Sequence, residues 1–322
     1  MYFSVGASFI LTLFAAALWG SWMQTAKHLK GYPISGLIFW LYAFSFVFIW
    51  IITLILAPYL LPEGIVAASK AYLDIIPRVI LGGAMMSMGI FCNVTVIRDV
   101  GMILSTTVSS GVGVILGIIT SIIEEGIPEK GIGLIILISI VYIVGAITSA
   151  YASYMRNIDR GIKNSRNTIT LRILILMLMA AFLTNGWSIG VAAGTANGIP
   201  PILTCAYMAT GSFISVLILS LFYFSYKKMW STVLCLNEDK KPLIYGVICG
   251  ACHYGGNLIS IYSMPALTAT ISFLLGRTSS LWTIFWGMYY KEFAGISRKT
   301  KILLASSIGL FIVGTLLVAI TK

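Results

Sequence analysis

Charge is scarce in this chain, and acid is scarcer still. Of its 322 residues, 10% are Asp, Glu, Lys or Arg, while 59% are hydrophobic. A soluble domain carries roughly 25% charged residues. So few charges cannot cover a water-exposed globule of this size, and the solvent for most of the surface is expected to be lipid. The ten Asp and Glu residues leave every long apolar run without an interior carboxylate. That argues against a membrane enzyme built on a carboxylate pair, and no catalytic constellation or cofactor motif is expected. Histidine occurs only twice. Of the five cysteines, Cys92, Cys205, Cys249 and Cys252 fall in apolar runs and Cys235 in a polar connection. That is the distribution of buried thiols rather than of a disulfide framework. No Lys or Arg precedes the first apolar run and no clear cleavage site follows it, so it reads as a retained helix rather than a secretory signal.

What the chain does have is a series of apolar runs of about 20 residues, the length that crosses a bilayer as a helix. Ten are expected, near 5–24, 34–56, 77–97, 102–122, 131–154, 169–190, 200–225, 242–262, 266–288 and 302–320. The formal net charge of +11 is not a nucleic-acid signature, because the basic residues sit in the connections between runs. With the N-terminus on side one, sixteen Lys and Arg fall on side two and four on side one, leaving Arg277 within a run. The positive-inside rule makes side two cytoplasmic. The expectation is a multi-pass protein of the cytoplasmic (inner) membrane with both termini extracytoplasmic.

The ten runs divide into halves that echo each other. Trp19-Gly20 is followed by Gly31-Tyr32-Pro33, and Gly186-Trp187 by Gly198-Ile199-Pro200. Asn93 lies eight residues before Gly101, and Asn257 eight before Pro265. Glu125 and Glu292 each close a run and precede one with a late glycine, Gly145 or Gly314. An odd number of spans per half inserts the halves in opposite orientations. The expected architecture is an all-α membrane protein of ten transmembrane helices as two inverted five-helix repeats. Residues 1–155 and 169–322 form the repeats, and 156–168 a basic cytoplasmic linker. A fold of this kind places a site between the repeats near the bilayer midplane.

These landmarks resemble the drug/metabolite transporter superfamily, and within it the L-rhamnose–proton symporter and glucose/ribose porter branch. The residues that carry the resemblance are "LWGSW" at 18–22, "GGN" at 255–257, "WGMYYKEF" at 286–293, the "GISRKT" that follows, and a glycine-bearing last helix. The resemblance implies a cavity lined mainly by helices one to four and six to nine, with helices five and ten peripheral. It implies a secondary transporter of small polar solutes.

"ICGACHYGGN" at 248–257 contains C-x-x-C-H, which spells a c-type haem attachment site. Inside an apolar run there is no room for a haem, and Cys249, Cys252 and His253 on one helix lack a fourth metal ligand. Helical spacing gives the better reading. Gly246, Cys249/Gly250, His253, Asn257, Ser260/Ile261 and Met264 recur every three or four residues and form one small, polar stripe. Polar groups in a membrane helix face the bundle interior. The stripe is therefore either a cavity wall that meets substrate or a hydrogen-bonded helix seam.

Arg277 lies about twelve residues into the ninth run, where a central arginine costs about 2.5–3.5 kcal/mol on translocon scales. With no carboxylate in any run, it either anchors to hydroxyls and carbonyls or meets an anionic or hydroxyl-rich ligand. Trp19 is a candidate stacking face, and Asn185 and Trp187 occupy the matching level of the sixth run. Asn93 is the repeat partner of Asn257. Gly113-x-x-x-Gly117 reads as a helix-packing motif. The expected substrate-binding set is thus Arg277, His253, Asn257, Trp19, Asn93, Asn185 and Trp187. The expected function is alternating-access transport, in the uptake direction, of a sugar or sugar-like acid, with export of amino acids or other metabolites as the alternative. Proton coupling would fall to His253, whose unperturbed pKa suits it; another ion, or no coupling, stays open.

Overall fold

In a computed structural model, residues 3–100, 113–120, 122–123, 126, 132–161, 171–236 and 239–320 are described, without the side chains of 94–100, 171–174 and 269. The described residues are all-helical, with no strand. Among the described residues, seven helices are long and apolar enough to cross a membrane, the build of a multi-pass membrane protein. In chain order the helices are α1 (Val5–Ser21), α2 (Ile34–Leu60), the short α3 (Ile65–Lys70) and α4 (Ile76–Val100). Next come α5 (113–120), α6 (Ile132–Asp159), α7 (Leu171–Thr184) and α8 (Gly186–Ala196). The series closes with α9 (Pro201–Lys227), α10 (Trp230–Val233), α11 (Lys241–Leu267), α12 (Ala269–Gly276), α13 (Ser279–Tyr289) and α14 (Arg298–Ala319).

Local sequence explains where these elements start and stop. Ser4 caps α1 by accepting the Ala7 N–H at 3.3 Å, and Ser297 caps α14 by accepting the Thr300 N–H at 3.3 Å. The two Gly-x-Pro stretches adopt one geometry. Gly31 and Gly198 hold φ of 81° and 73°, and Pro33 and Pro200, two residues on, are extended N-caps with ψ of 128° and 133°. Glycine takes the positive φ without strain and proline's fixed φ suits the helix entry.

Three of the expected continuous spans are irregular. The first passes from α-helix into a 3₁₀ helix over Trp22–His28. The sixth breaks at Asn185 between α7 and α8, and the ninth at Arg277–Thr278 between α12 and α13. The eighth runs on through Pro265 to Leu267 before Thr268, at φ 74°, turns the chain. The fourth expected span lies partly outside the described residues, as do Glu124, Glu125, and residues 162–170 of the linker and the start of the sixth span.

Packing follows a definite pairing. α1 packs on α11, and α4 on α7 and α8; α2 packs on α11, and α4 on α9; α2 packs on α9, and α6 on α14. Close approach depends on glycines. A Cβ at Gly82 would fall 2.5 Å from the Gly190 Cα, and one at Gly186 would fall 2.5 Å from the Met85 Cβ. Some buried hydroxyls bond across helices: Ser212 donates to the Gly83 carbonyl at 2.8 Å, and the Ser87 and Ser215 hydroxyls hydrogen-bond each other at 2.6 Å. The outer faces are apolar. On α6, Ile136, Ile140, Val144 and Ile147 are all exposed. Spaced three or four residues apart, they form one stripe that suits lipid and not water.

Candidate functional site

A cavity of ≈ 220 Å³ sits where the irregular helices meet. It is lined by Trp19, Trp22, Met86, Ile90, Thr184, Trp187, His253, Asn257, Ser260, Met264, Phe273, Gly276, Arg277 and Ser279. Its walls therefore come from α1 and the 3₁₀ helix after it, α4, α7, α8, α11, α12 and the start of α13. Non-helical backbone at membrane depth is tolerated where it lines a cavity or is buried in protein. The breaks beside Thr184 and Arg277, and the change to 3₁₀ geometry at Trp22, all fall against this space.

Trp19 organises the centre. Its Nε1–H donates to Asn257 Oδ1 at 2.9 Å and to the His253 carbonyl at 3.3 Å. The indole fits because α11 and α12 offer glycine on either side. A Cβ at Gly256 would stand 2.7 Å from Nε1, and a Cβ at Gly276 would stand 2.9 Å from Cζ3. Trp19 also meets Trp187 of α8 edge-to-face, with ring centroids 5.9 Å apart.

The bond from Trp19 consumes the Asn257 acceptor and turns the amide donor elsewhere. Asn257 is 2% exposed, and its Nδ2 has no partner among the described residues. His253 is 6% exposed, ringed by Trp22, Tyr42 and Tyr254 at 5.5–5.6 Å between centroids. Neither of its ring nitrogens has a hydrogen-bond partner among the described residues. Eight other buried side-chain atoms also lack a partner among the described residues, but these three nitrogens alone belong to residues that line the cavity, where an occupant could take their hydrogen bonds.

Arg277 lies at the break between α12 and α13, its guanidinium 4.1 Å from the Phe273 ring centroid. Among the described residues no carboxylate pairs with it. Gly113 and Gly117 of α5 bear on this pair. A Cβ at Gly113 would lie 3.6 Å from Arg277 Nη1, and a Cβ at Gly117 would land on the Phe273 ring. Gly117 thus seats Phe273, while a methyl at position 113 would meet the guanidinium at ordinary contact distance.

Of the seven residues expected to bind substrate, the cavity brings together Arg277, His253, Asn257, Trp19 and Trp187. The other two do not line it. Asn185 is buried at the α7–α8 break and donates from Nδ2 to Thr120 Oγ1 at 3.0 Å, tying α5 to that break. Asn93 is half-buried on α4. Sequence reasoning missed Met86, Ile90, Thr184 and Phe273; only their helical spacing from known site residues could have pointed to them. In the C-x-x-C-H stretch, Cys249 hydrogen-bonds Thr25 Oγ1 at 2.8 Å and donates to the Trp22 carbonyl at 3.3 Å, apart from the His253 ring nitrogens. Among the described residues no three His, Cys, Asp or Glu side chains converge into a metal-holding group.

Beyond Trp22, the end of the bundle rich in Lys and Arg is laced shut. Glu292 Oε1 pairs with Lys27, while Arg156 Nη1 donates to Glu292 Oε2 at 2.7 Å. Lys27 Nζ also sits 4.5 Å over the Tyr290 ring. His28 hydrogen-bonds the Tyr290 hydroxyl at 2.9 Å and stacks on Tyr245 at 5.5 Å. Asp159 Oδ2 accepts from the Ser297 N–H at 2.9 Å and from Thr300 Oγ1 at 2.6 Å. Both partners of Glu292 come from the first half of the chain, one from the 3₁₀ helix after α1 and one from α6.

No protein-family model and no curated protein matches this chain. Five solved chains are similar in structure. One, a crystal structure described only as that of a protein, superposes with a TM-score of 0.61 at 13% identity, over 97% of this chain and 96% of that one. At that identity the likeness speaks of a shared fold.

Proposed function

We propose that this protein is a secondary transporter built of two inverted five-helix repeats, whose central cavity binds a small polar solute and opens to each face in turn. The pairing of helices supports the repeat. Taking α1, α2, α4, α5 and α6 as the first repeat, and α7/α8, α9, α11, α12/α13 and α14 as the second, exchanging the halves maps α1–α11 onto α7/α8–α4. It also maps α2–α11 onto α9–α4, and returns α2–α9 and α6–α14 to themselves. The α6–α14 pair stands to one side, where the resemblance puts helices five and ten.

One observation carries the functional reading. A cavity at mid-span is walled by broken helices from both halves, with Trp19 and Trp187, one from each, in contact across it. Its orphaned nitrogens await a ligand rather than a reaction partner. The resemblance favours uptake of a sugar or sugar-like acid. His253 is the titratable group at hand for proton coupling.

The test is solute counterflow in proteoliposomes, using compounds that stabilise the purified protein in a thermal-shift screen of sugars, sugar acids, amino acids and nucleosides. The expected result is saturable counterflow, lost in Ile90→Trp and Met86→Trp, which fill the cavity. Flux linear in concentration and indifferent to both substitutions would replace a carrier with a passive pore.

A further inference from the structure

The cavity holds a cation that no carboxylate pairs with among the described residues, and that imbalance speaks to the charge of its occupant. Arg277 brings a guanidinium; Asn257 brings an amide N–H₂, and the neutral His253 ring one donor and one acceptor nitrogen, all without partners among the described residues; Thr184, Ser260 and Ser279 add hydroxyls that can donate or accept. The side-chain acceptor Asn257 could have offered is taken by Trp19. Opposing negative charge is missing as well. The chain has no Asp or Glu at 5–62, 75–98, 100–123, 160–237 or 240–291, which covers every residue that lines the cavity and α5 beside it; the one carboxylate in the elements that wall it is Asp99, at the end of α4 and nine residues beyond Ile90. Phe273 gives the cation a π face but does not neutralise it.

A neutral polyol could bond these groups but would leave the cation without a counter-charge. A carboxylate presents acceptors alone and supplies the charge the cavity lacks. We propose that the occupant is a small organic monoanion, its carboxylate held by the Arg277 fork with Asn257 and His253, its body against Trp19 and Trp187. The size fits a small acid rather than a nucleotide: ≈ 220 Å³ is the share of about seven waters of liquid. This inference rests on the reading of the cavity as the cargo site, and it narrows "sugar or sugar-like acid" to the charged member.

Matched pairs that differ in charge and little in shape provide the test: benzoate against benzamide, lactate against lactamide, glucuronate against glucuronamide. With the wild-type protein, at least one anion should raise the melting temperature and bind tenfold or more tighter than its neutral partner. Arg277→Gln should erase that preference, and Arg277→Lys should restore part of it. If Arg277→Gln does not fold, the wild-type pairs decide alone. A neutral member binding as well as its anion, anion binding untouched in a folded Arg277→Gln, or no binding by any member overturns the inference. Counterflow separates it from the transporter reading. A neutral sugar carried by Arg277→Gln as by wild type removes the anion and keeps the transporter. An anion that binds in an Arg277-dependent way but shows no counterflow keeps the ligand and removes the transporter.

Discussion

Glu292 joins the two halves of the chain at the basic end, and neutralising it should loosen that end. Its partners, Lys27 and Arg156, belong to the first half, while Glu292 follows α13 in the second. In the repeat reading, opening towards this end requires the bridge to part. The side chains of Lys27, Glu292 and Arg156 are 34%, 25% and 14% exposed, so solvent screens the pairs only in part. An exposed pair contributes about 0.2–1 kcal/mol, and a hydrogen bond to a charged group about 1.5–3. Glu292→Gln keeps the shape and some of the hydrogen bonding, so a loss of about 1–2 kcal/mol for the two contacts together is reasonable. At 1.4 kcal/mol per tenfold, the population open at this end should rise about 5- to 30-fold. Cys249 is a built-in reporter, fully buried beneath Trp22 and Thr25, and Lys27 lies five residues beyond Trp22, roughly 10 Å along a 3₁₀ helix. With the other four cysteines replaced, a membrane-impermeant thiol reagent applied from the basic side should label Cys249 faster in Glu292→Gln by that factor, and Lys27→Ala should act in the same direction. Labelling unchanged while stability falls would mean that the bridge props the fold and gates nothing.

Two further outcomes follow from Trp19. Trp19→Phe removes the donor that satisfies Asn257 Oδ1, and a stranded buried acceptor costs about 1–3 kcal/mol; thermal unfolding should move down by a few degrees, and ligand binding should weaken as the Asn257 amide loses its fixed orientation. Gly256→Ala sets a methyl 2.7 Å from Trp19 Nε1 and 3.1 Å from the Ala15 carbonyl, overpacking worth about 1–3 kcal/mol. In a Trp19→Ala background most of that penalty should vanish, and strictly additive losses in the double variant would show that the indole is not what Gly256 accommodates.

How much of this was written plainly in the sequence depended on whether a residue's chemistry stood out from its surroundings. His253, Asn257 and Arg277 are polar groups in apolar runs, and the energetic penalty of that position pointed to the interior before any coordinates. The Gly-x-Pro turns were legible because both residues dictate backbone angles, and both turns took the same ones. Met86, Ile90 and Phe273 were not legible, since an apolar side chain looks the same whether it faces lipid or a cavity. Asn185 misled because a buried amide needs a partner, and sequence does not say whether the partner is a solute or Thr120. The breaks at Asn185 and at Arg277–Thr278 carry no proline, and tertiary contacts decide them. Even α11 illustrates the point: its 27 residues suffice to cross a bilayer, yet it is absent from the seven clearly apolar helices. The stripe that makes it the richest wall of the cavity is what lowers its apolar character.

The frame and the chemistry of this site obey different symmetries. In the repeat reading each helix pairing has a counterpart, and Trp19 and Trp187 meet where the halves touch. Yet the groups with hydrogen bonds to offer, Arg277, His253 and Asn257, all come from the second half, while the first half contributes Trp19, Trp22, Met86 and Ile90. Asn93, the counterpart of Asn257, stays out of the cavity. A solute held by polar contacts would therefore travel with the second half, and the first half would slide over it as an aromatic and thioether wall. Such contacts are nondirectional and tolerate displacement, whereas hydrogen bonds do not. In the proposed transporter, that division would let the halves rock without releasing the cargo midway. Specificity would then sit in α11 and at the α12–α13 break, and the first half would govern how fast the cavity changes face.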